Sequence, residues 1–374
     1  MNRVPEAHRD RRPRWRSIVT AVATIVPTSI AIVASGSPAG AAVPSAPSGW
    51  STVFSDDFNG AAGTSLNSSN WLYDTGIGYP GGATNWGTGE VETMTNSTAN
   101  VYQDGAGHLA IKPIRAANGS WTSGRVETQR TDFGAPAGGI ERIEASIEQP
   151  NVTTGNGAGY WPAFWALGAA ARPVGATNWP SIGEIDVMED INGRSSEFAT
   201  LHCGVGSGGP CNETTGIGSG ERTCSGCQTG FHTYAAEIDR SVSPEQIRYY
   251  LDGNNFFTVS ANQVDATTWA NAVDHGFFII LNVAMGGGFP AAFGGGPNGS
   301  TVSGQPMLVD YVAVYQKAAG SGGGGGSGGS GGSAGASGAV TSGIAGKCMD
   351  VNGSNSANGT AVQLYDCNGT GAQV

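Results

Sequence analysis

The stretch SIGEIDVMEDING, residues 181–193, places Glu184, Asp186, Glu189 and Asp190 close together in the chain. Their apolar neighbours Ile182, Ile185, Val187 and Met188 predict a β-strand, on which successive side chains take opposite faces. Glu184 and Asp186 then share a face, whereas Glu189 falls on the other. A single bulge repairs the row: if Val187 and Met188 jointly oppose one partner residue, Glu189 rejoins the first two acids. The outer Cα atoms then stand ~13 Å apart at ~3.3 Å per residue. Two glutamates leaning together bring their carboxyls to ~5–6 Å, close to the ~5–5.5 Å at which such a pair cleaves a glycosidic bond with retention. A central Asp186 helps to split the pKa values that a nucleophile and an acid/base require. Asp190, leading into Ile191-Asn192-Gly193, reads as the start of a turn.

Acid clusters on exposed strands are commonly solvated, but Tyr160, Trp161, Phe164, Trp165 and Trp179 all precede Glu184 by fewer than 25 residues. Aromatic faces stack on pyranose rings, so carboxylates among indoles suit sugar chemistry. The elements that must carry the row are strands. HLAIKPIR, RIEASIEQ, YWPAFWAL, HTYAAEID, QIRYYLDG, FFIILNVAM and MLVDYVAVYQ are short apolar or alternating runs separated by Gly, Asn, Asp and Pro. No amphipathic helix of ordinary length is evident. Many short strands imply an antiparallel sandwich or barrel, here all-β and large enough for one sandwich of ~270 residues.

Composition agrees: 62 glycines, nine tryptophans and 13% charged residues among 374 describe an extracellular β protein rather than a helical cytosolic one. The formal charge is −11, and a basic cluster (Arg3, Arg9, Arg11, Arg12, Arg14, Arg16) hides part of the acidity. Such a surface repels phosphate backbones, which excludes nucleic acid as a partner. The basic cluster precedes the uncharged run from Ile18 to Val43, in which Ala39-Gly40-Ala41 offers a cleavage site. This is the layout of an export signal over residues 1–42, with no membrane association after cleavage. An uncleaved anchor is the alternative, interrupted by Pro27.

In an exported chain the six cysteines are expected as disulfides, Cys348 with Cys367 and two within the loop carrying Cys203, Cys211, Cys224 and Cys227. The sequence does not choose among the three pairings of those four, and Cys224-Ser225-Gly226-Cys227 has the spacing of zinc ligands. Residues 318–338 are a Gly/Ser linker with no capacity for a core. The 36 residues beyond, 339–374, are too few to bury a core alone.

The motifs carry a specific resemblance. Glu184-Ile185-Asp186-Val187-Met188-Glu189 matches the bulged E-x-D-x-x-E signature of glycoside hydrolase family 16, in the form typical of laminarinase-like endo-β-1,3-glucanases. VFSDDFNG, NWGTGEVETMT, YWPAFWALG, NWPSIGEIDVME, FHTYAAEID, IRYYLDG, FFIILNVAMGGGFP and VDYVAVYQ follow in that family's order across almost all of residues 50–317, within an expected catalytic domain of 43–317. The resemblance implies a concanavalin A-like jelly-roll β-sandwich. It implies Glu184 as nucleophile, Asp186 as its assistant and Glu189 as acid/base. Trp86, Glu90, Arg125, Trp161, Trp165, Trp179 and His202 become substrate-binding residues. No cofactor is implied for catalysis, but a structural Ca²⁺ on Asp57 and Asp310 is. The expected partner is β-glucan polysaccharide, and the expected state a monomer.

GTGE in place of G-N-N-E, EVETM in place of E-L-Q-Y-Y and the four-cysteine insertion depart from the family pattern. A β-1,3-1,4-glucanase, a galactan-directed relative or a non-catalytic glucan-binding protein are therefore the alternatives. The tail GKCMDVNGSNSANGTAVQLYDCNGTGAQV resembles one repeat of a ricin-type β-trefoil carbohydrate-binding module, an incomplete one. Asp350, Gln363, Tyr365 and Gln373 stand at its sugar-contact positions, and an isolated repeat is expected to be poorly ordered.

Overall fold

The alternating runs of the sequence become strands in the computed structural model, which describes residues 42–319, 347–351 and 362–366. The expected export signal, most of the linker, the partner cysteine Cys367 and Gln373 lie outside the described residues. The chain divides into two units, Met1–Gly320 and Ser321–Val374.

The first unit is a sandwich of two eight-stranded antiparallel sheets. One sheet runs in the order Asn254–Ser260, Gln246–Leu251, His232–Asp239, Ile140–Glu148, Met307–Lys317, Leu109–Ile111 and Val101–Gln103, with Ser51–Asp56 also pairing Met307–Lys317. The other runs Ile217–Gly218, Ser196–His202, Glu184–Glu189, Tyr160–Gly168, Phe277–Met285, Arg125–Thr128 and Trp71–Asp74, with Arg222–Thr223 against Ser196–His202. Alternation supplies the core between them. Ile143, Ala145 and Ile147 from the first sheet meet Phe164, Ile185, Val187, Met188, Leu201, Ile279, Leu281 and Val283 from the second. Each large side chain so buried contributes ~1.5–3 kcal/mol.

The bulge lies where the strand pattern demands it. Between the pairs Asp186↔Thr200 and Glu189↔Phe198, Val187 and Met188 oppose Ala199 alone. Both extra-strand side chains enter the core, each fully buried. Burying two consecutive apolar residues is what turns Glu189 back outward.

Two local features differ from the sequence expectation. HLAIKPIR is not one strand but two, Leu109–Ile111 and Ile114–Arg115. Pro113 has no amide hydrogen for the ladder, so pairing stops there. Ala266–Val273 forms an α-helix of eight residues. Asp265 caps it, accepting from the Thr267 and Thr268 amides at 3.1 and 3.0 Å, and Trp269, Ala272 and Val273 are its buried stripe. The helix abuts the acid strand through Gly183, at φ +74°, where a Cβ would lie 1.9 Å from the Ala272 carbonyl oxygen. Only glycine fits that approach.

In the second unit the described residues form an antiparallel pair, Lys347–Val351 with Val362–Asp366.

Candidate active site

The register of the second sheet lines up residues that are far apart in sequence. One transverse row, on the face turned away from the core, reads Phe198, Glu189, Ala163, Asn282, Arg125, Asp74. The next reads Thr200, Asp186, Trp165, Ile280, Glu127, Leu72, and Glu184 pairs with His202 one step beyond. Three acids therefore share a face with Trp161, Trp165, Arg125 and His202, beside Ala163, whose methyl leaves room above the sheet.

Each acid has a distinct surrounding. Glu189 accepts a hydrogen bond from Trp161 Nε1 at 2.8 Å and is 7% exposed. Burial and the Asp186 charge push its pKa well above the ordinary range, against the Trp161 hydrogen bond and His202. Glu184 is also raised, by burial and then by Asp186, but His202 and Arg125 both oppose the shift. His202 Nε2 lies 3.3 Å from Asp186 Oδ2 and 4.0 Å from Glu184 Oε1. Burial works against a charged imidazole there. Asp186, Glu213 and Glu184 outweigh it and hold the ring protonated well above its usual pKa. Two carboxylates that share an environment titrate as a unit, and the proton stays where cations are fewer. That carboxyl is Glu189; Glu184, 4.0 Å from His202 and opposed in its shift by Arg125 as well, is the one readier to ionise.

The aromatic frame is fixed by polar contacts. Trp165 Nε1 donates to Asn282 Oδ1 at 2.7 Å. The Arg125 guanidinium is sandwiched among Trp86, Trp165 and Tyr79 at 4.4, 4.7 and 5.1 Å from their ring centres. It is 4% exposed and paired with Asp74 Oδ2 at 3.0 Å, so it is a buried buttress rather than a solvent ion pair. Trp179 packs on His202 with ring centres 5.5 Å apart. Glu90 accepts from Thr88 Oγ1 at 2.7 Å and bridges by backbone to Gly286. The adjoining Gly287, at φ +95°, would place a Cβ 3.0 Å from Trp161 and 3.4 Å from Glu90, which keeps glycine between them.

Asp190 carries the turn expected of it: its Oδ1 accepts from Ser196 N and Oγ at 3.1 and 2.6 Å, beneath the row. The cysteines pair as Cys203–Cys211 and Cys224–Cys227. His232 approaches the latter pair, but disulfide sulfurs are not thiolate ligands, so the zinc spacing is not used as such. Asp57 follows Ser51–Asp56 directly, while Asp310 sits at a register shift in Met307–Lys317, the strand that pairs with Ser51–Asp56. Both side chains are hard oxygen donors, the ligand class of Ca²⁺. In the second unit Asp350 pairs in register with Gln363 and Cys348 with Tyr365.

Four residues of the frame escape sequence reasoning: Asp74, Tyr79, Glu213 and Asn282. Asn282 had a signal, as the polar residue of the apolar run FFIILNVAM. Glu213 had none.

The chain is similar to known proteins in sequence and in fold. Residues 151–240 match the family described as "XgeA-like, catalytic GH16 domain". The structure of an endo-1,3-β-glucanase from Streptomyces sioyaensis is 61% identical with a TM-score of 0.72, covering 74% of this chain and 99% of that one. A glucan endo-1,3-β-glucosidase of Cryptopygus antarcticus is 30% identical over 66% of this chain and 84% of its own length. Glucan endo-1,3-β-glucosidase A1 of Niallia circulans is 32% identical over 290 residues, and this chain spans 38% of its length. With relatives this similar along most of its catalytic region, the chain belongs to glycoside hydrolase family 16.

Proposed function

We propose that the chain is a secreted, retaining endo-β-1,3-glucanase that hydrolyses β-glucan polysaccharide such as laminarin. The observation that carries this reading is the bulge at Val187–Met188, which gathers Glu184, Asp186 and Glu189 on one aromatic-lined face. The endo-1,3-β-glucanase names of the relatives support the linkage. Glu189, the carboxyl that keeps its proton, donates it to the glycosidic oxygen as the Glu184 carboxylate attacks the anomeric carbon. The leaving chain departs with that proton, and a glycosyl ester on Glu184 remains. Glu189, now a carboxylate, takes a proton from water, whose oxygen attacks the same carbon and releases Glu184. Asp186, balanced by the His202 imidazolium, keeps the two glutamates coupled. Trp161, Trp165, Trp179 and Trp86 supply stacking faces, while Glu90 and Arg125 border the glucose-binding end.

Export through residues 1–42, a catalytic domain over 43–317, a linker over 318–338 and a partial β-trefoil module over 339–374 complete the proposal. Asp350, Gln363, Tyr365 and Gln373 are its sugar contacts, the protein acts as a monomer, and one Ca²⁺ on Asp57 and Asp310 is structural. The test is the product profile on laminarin, lichenan and galactan, with Glu184→Ala as control. The expected result is β-1,3-linked oligosaccharides from laminarin, lost in the variant. No hydrolysis of laminarin, or wild-type rates in Glu184→Ala, would overturn the reading.

A further inference from the structure

The segment between the strands Ser196–His202 and His232–Asp239 carries all four paired cysteines, and it reaches the acid row through one side chain. Glu213 has a fully buried carboxylate. Its Oε2 accepts from His202 Nδ1 at 2.7 Å and its Oε1 from the Cys203 amide at 2.8 Å. The opposite ring nitrogen of His202 faces Asp186 at 3.3 Å and Glu184 at 4.0 Å. The backbone of Glu213 is held in turn by paired hydrogen bonds with Gly208, inside the loop that Cys203–Cys211 closes.

We propose that Glu213 is a positioning residue that works through His202: the disulfide-closed insertion supplies a second carboxylate that keeps the imidazole cationic and aimed at Asp186 and Glu184. Nδ1 is hydrogen-bonded to Glu213 and Nε2 stands 3.3 Å from Asp186 as an ion-pair contact, so carboxylates flank both ring nitrogens and favour the protonated form. The groups facing it are all accounted for. Glu184, Asp186 and Glu189 come from the neighbouring strand, Glu213 from the insertion and the Trp179 ring from the preceding loop. Ile217–Gly218, paired on the other side, brings no titratable side chain. Arg125 is the other cation acting on Glu184. The His202 charge holds down the proton affinity of Glu184 and so sets how far into acid the site can still ionise its nucleophile.

The inference rests on the reading of Glu184 as nucleophile, and the experiment separates the two. Glu213→Gln keeps the shape and removes the charge. Wild-type laminarin hydrolysis tests the reading alone. The kcat/KM pH profile of the variant then tests the inference, with the acidic limb expected to move to higher pH by about one unit as Glu184 loses its cation. A limb that stays in place or moves to lower pH overturns the proposal. Because Glu213→Gln also weakens the Cys203 amide contact, ¹⁵N NMR of the wild-type imidazoles provides a readout that needs no variant. His202 is expected to keep both ring nitrogens protonated at pH 8, and a neutral ring at pH 7 overturns the proposal.

Discussion

Replacing Asp186 with asparagine removes one charge from the middle of the row and leaves its shape. Carboxylate oxygens of Glu184 and Asp186 and a ring nitrogen of His202 lie within 4.8 Å of one another. Two like unit charges at that distance repel by about 3.5 kcal/mol at an effective dielectric of ~20, or roughly 2.5 pKa units at 1.36 kcal/mol each. His202 offsets part of that repulsion and cleft water screens more, so about 1–2 units is the expected effect. Asp186 raises the proton affinity of both glutamates. Its removal lowers both. The proposed mechanism needs Glu184 ionised and Glu189 protonated, so the whole bell of kcat/KM against pH slides toward acid. The assay is laminarin hydrolysis from pH 4 to 9, with thermal unfolding to show that the variant folds. A bell that stays in place, or moves toward base, refutes the electrostatic role given to Asp186.

Trp161→Phe deletes the 2.8 Å hydrogen bond to Glu189. Such bonds to a charged group are worth ~1.5–3 kcal/mol, so the basic limb of the same profile should move up by about 1–2 units while the rate falls. Glu141 is fully buried, with burial pushing its pKa up from 4.5 to about 7 despite a hydrogen bond from Gln316. Its contribution to stability is complete below pH 4.5 and lost as pH rises through 7. Denaturant unfolding at pH 5 and pH 8 should therefore show a loss of about 3 kcal/mol in the wild type that Glu141→Gln lacks. Dialysis against a chelator should lower the melting temperature by several degrees, restored by Ca²⁺ and abolished in Asp310→Asn; an unchanged melting temperature removes the ion from Asp57 and Asp310.

Much of the architecture was legible because strand periodicity is strict. An acid out of step with its neighbours required an extra residue, and Val187 and Met188, both apolar, were the pair able to enter the core together. Pro113 was readable as a break in HLAIKPIR, since it carries no donor, yet the run looked continuous in its apolar content. The helix Ala266–Val273 was hidden by its brevity and by Thr267 and Thr268, which suit strands as well. Its cap, Asp265, was the available clue. The buttress of Arg125 was illegible in another way: Asp74, Tyr79 and Trp86 reach it from separate segments, and only sheet order brings them together. Glu213 lies in a Gly-rich stretch whose path depends on which cysteines pair, a choice that spacing does not make.

In the proposed mechanism the bulged row works as a nucleophile and an acid/base close enough for direct attack. Following the first product of laminarin cleavage by ¹H NMR, before mutarotation, tests it most directly. The β-anomer is expected to appear first, the sign of two displacements at one carbon. Initial release of the α-anomer would mean single displacement by water, and would contradict the roles assigned to Glu184 and Glu189.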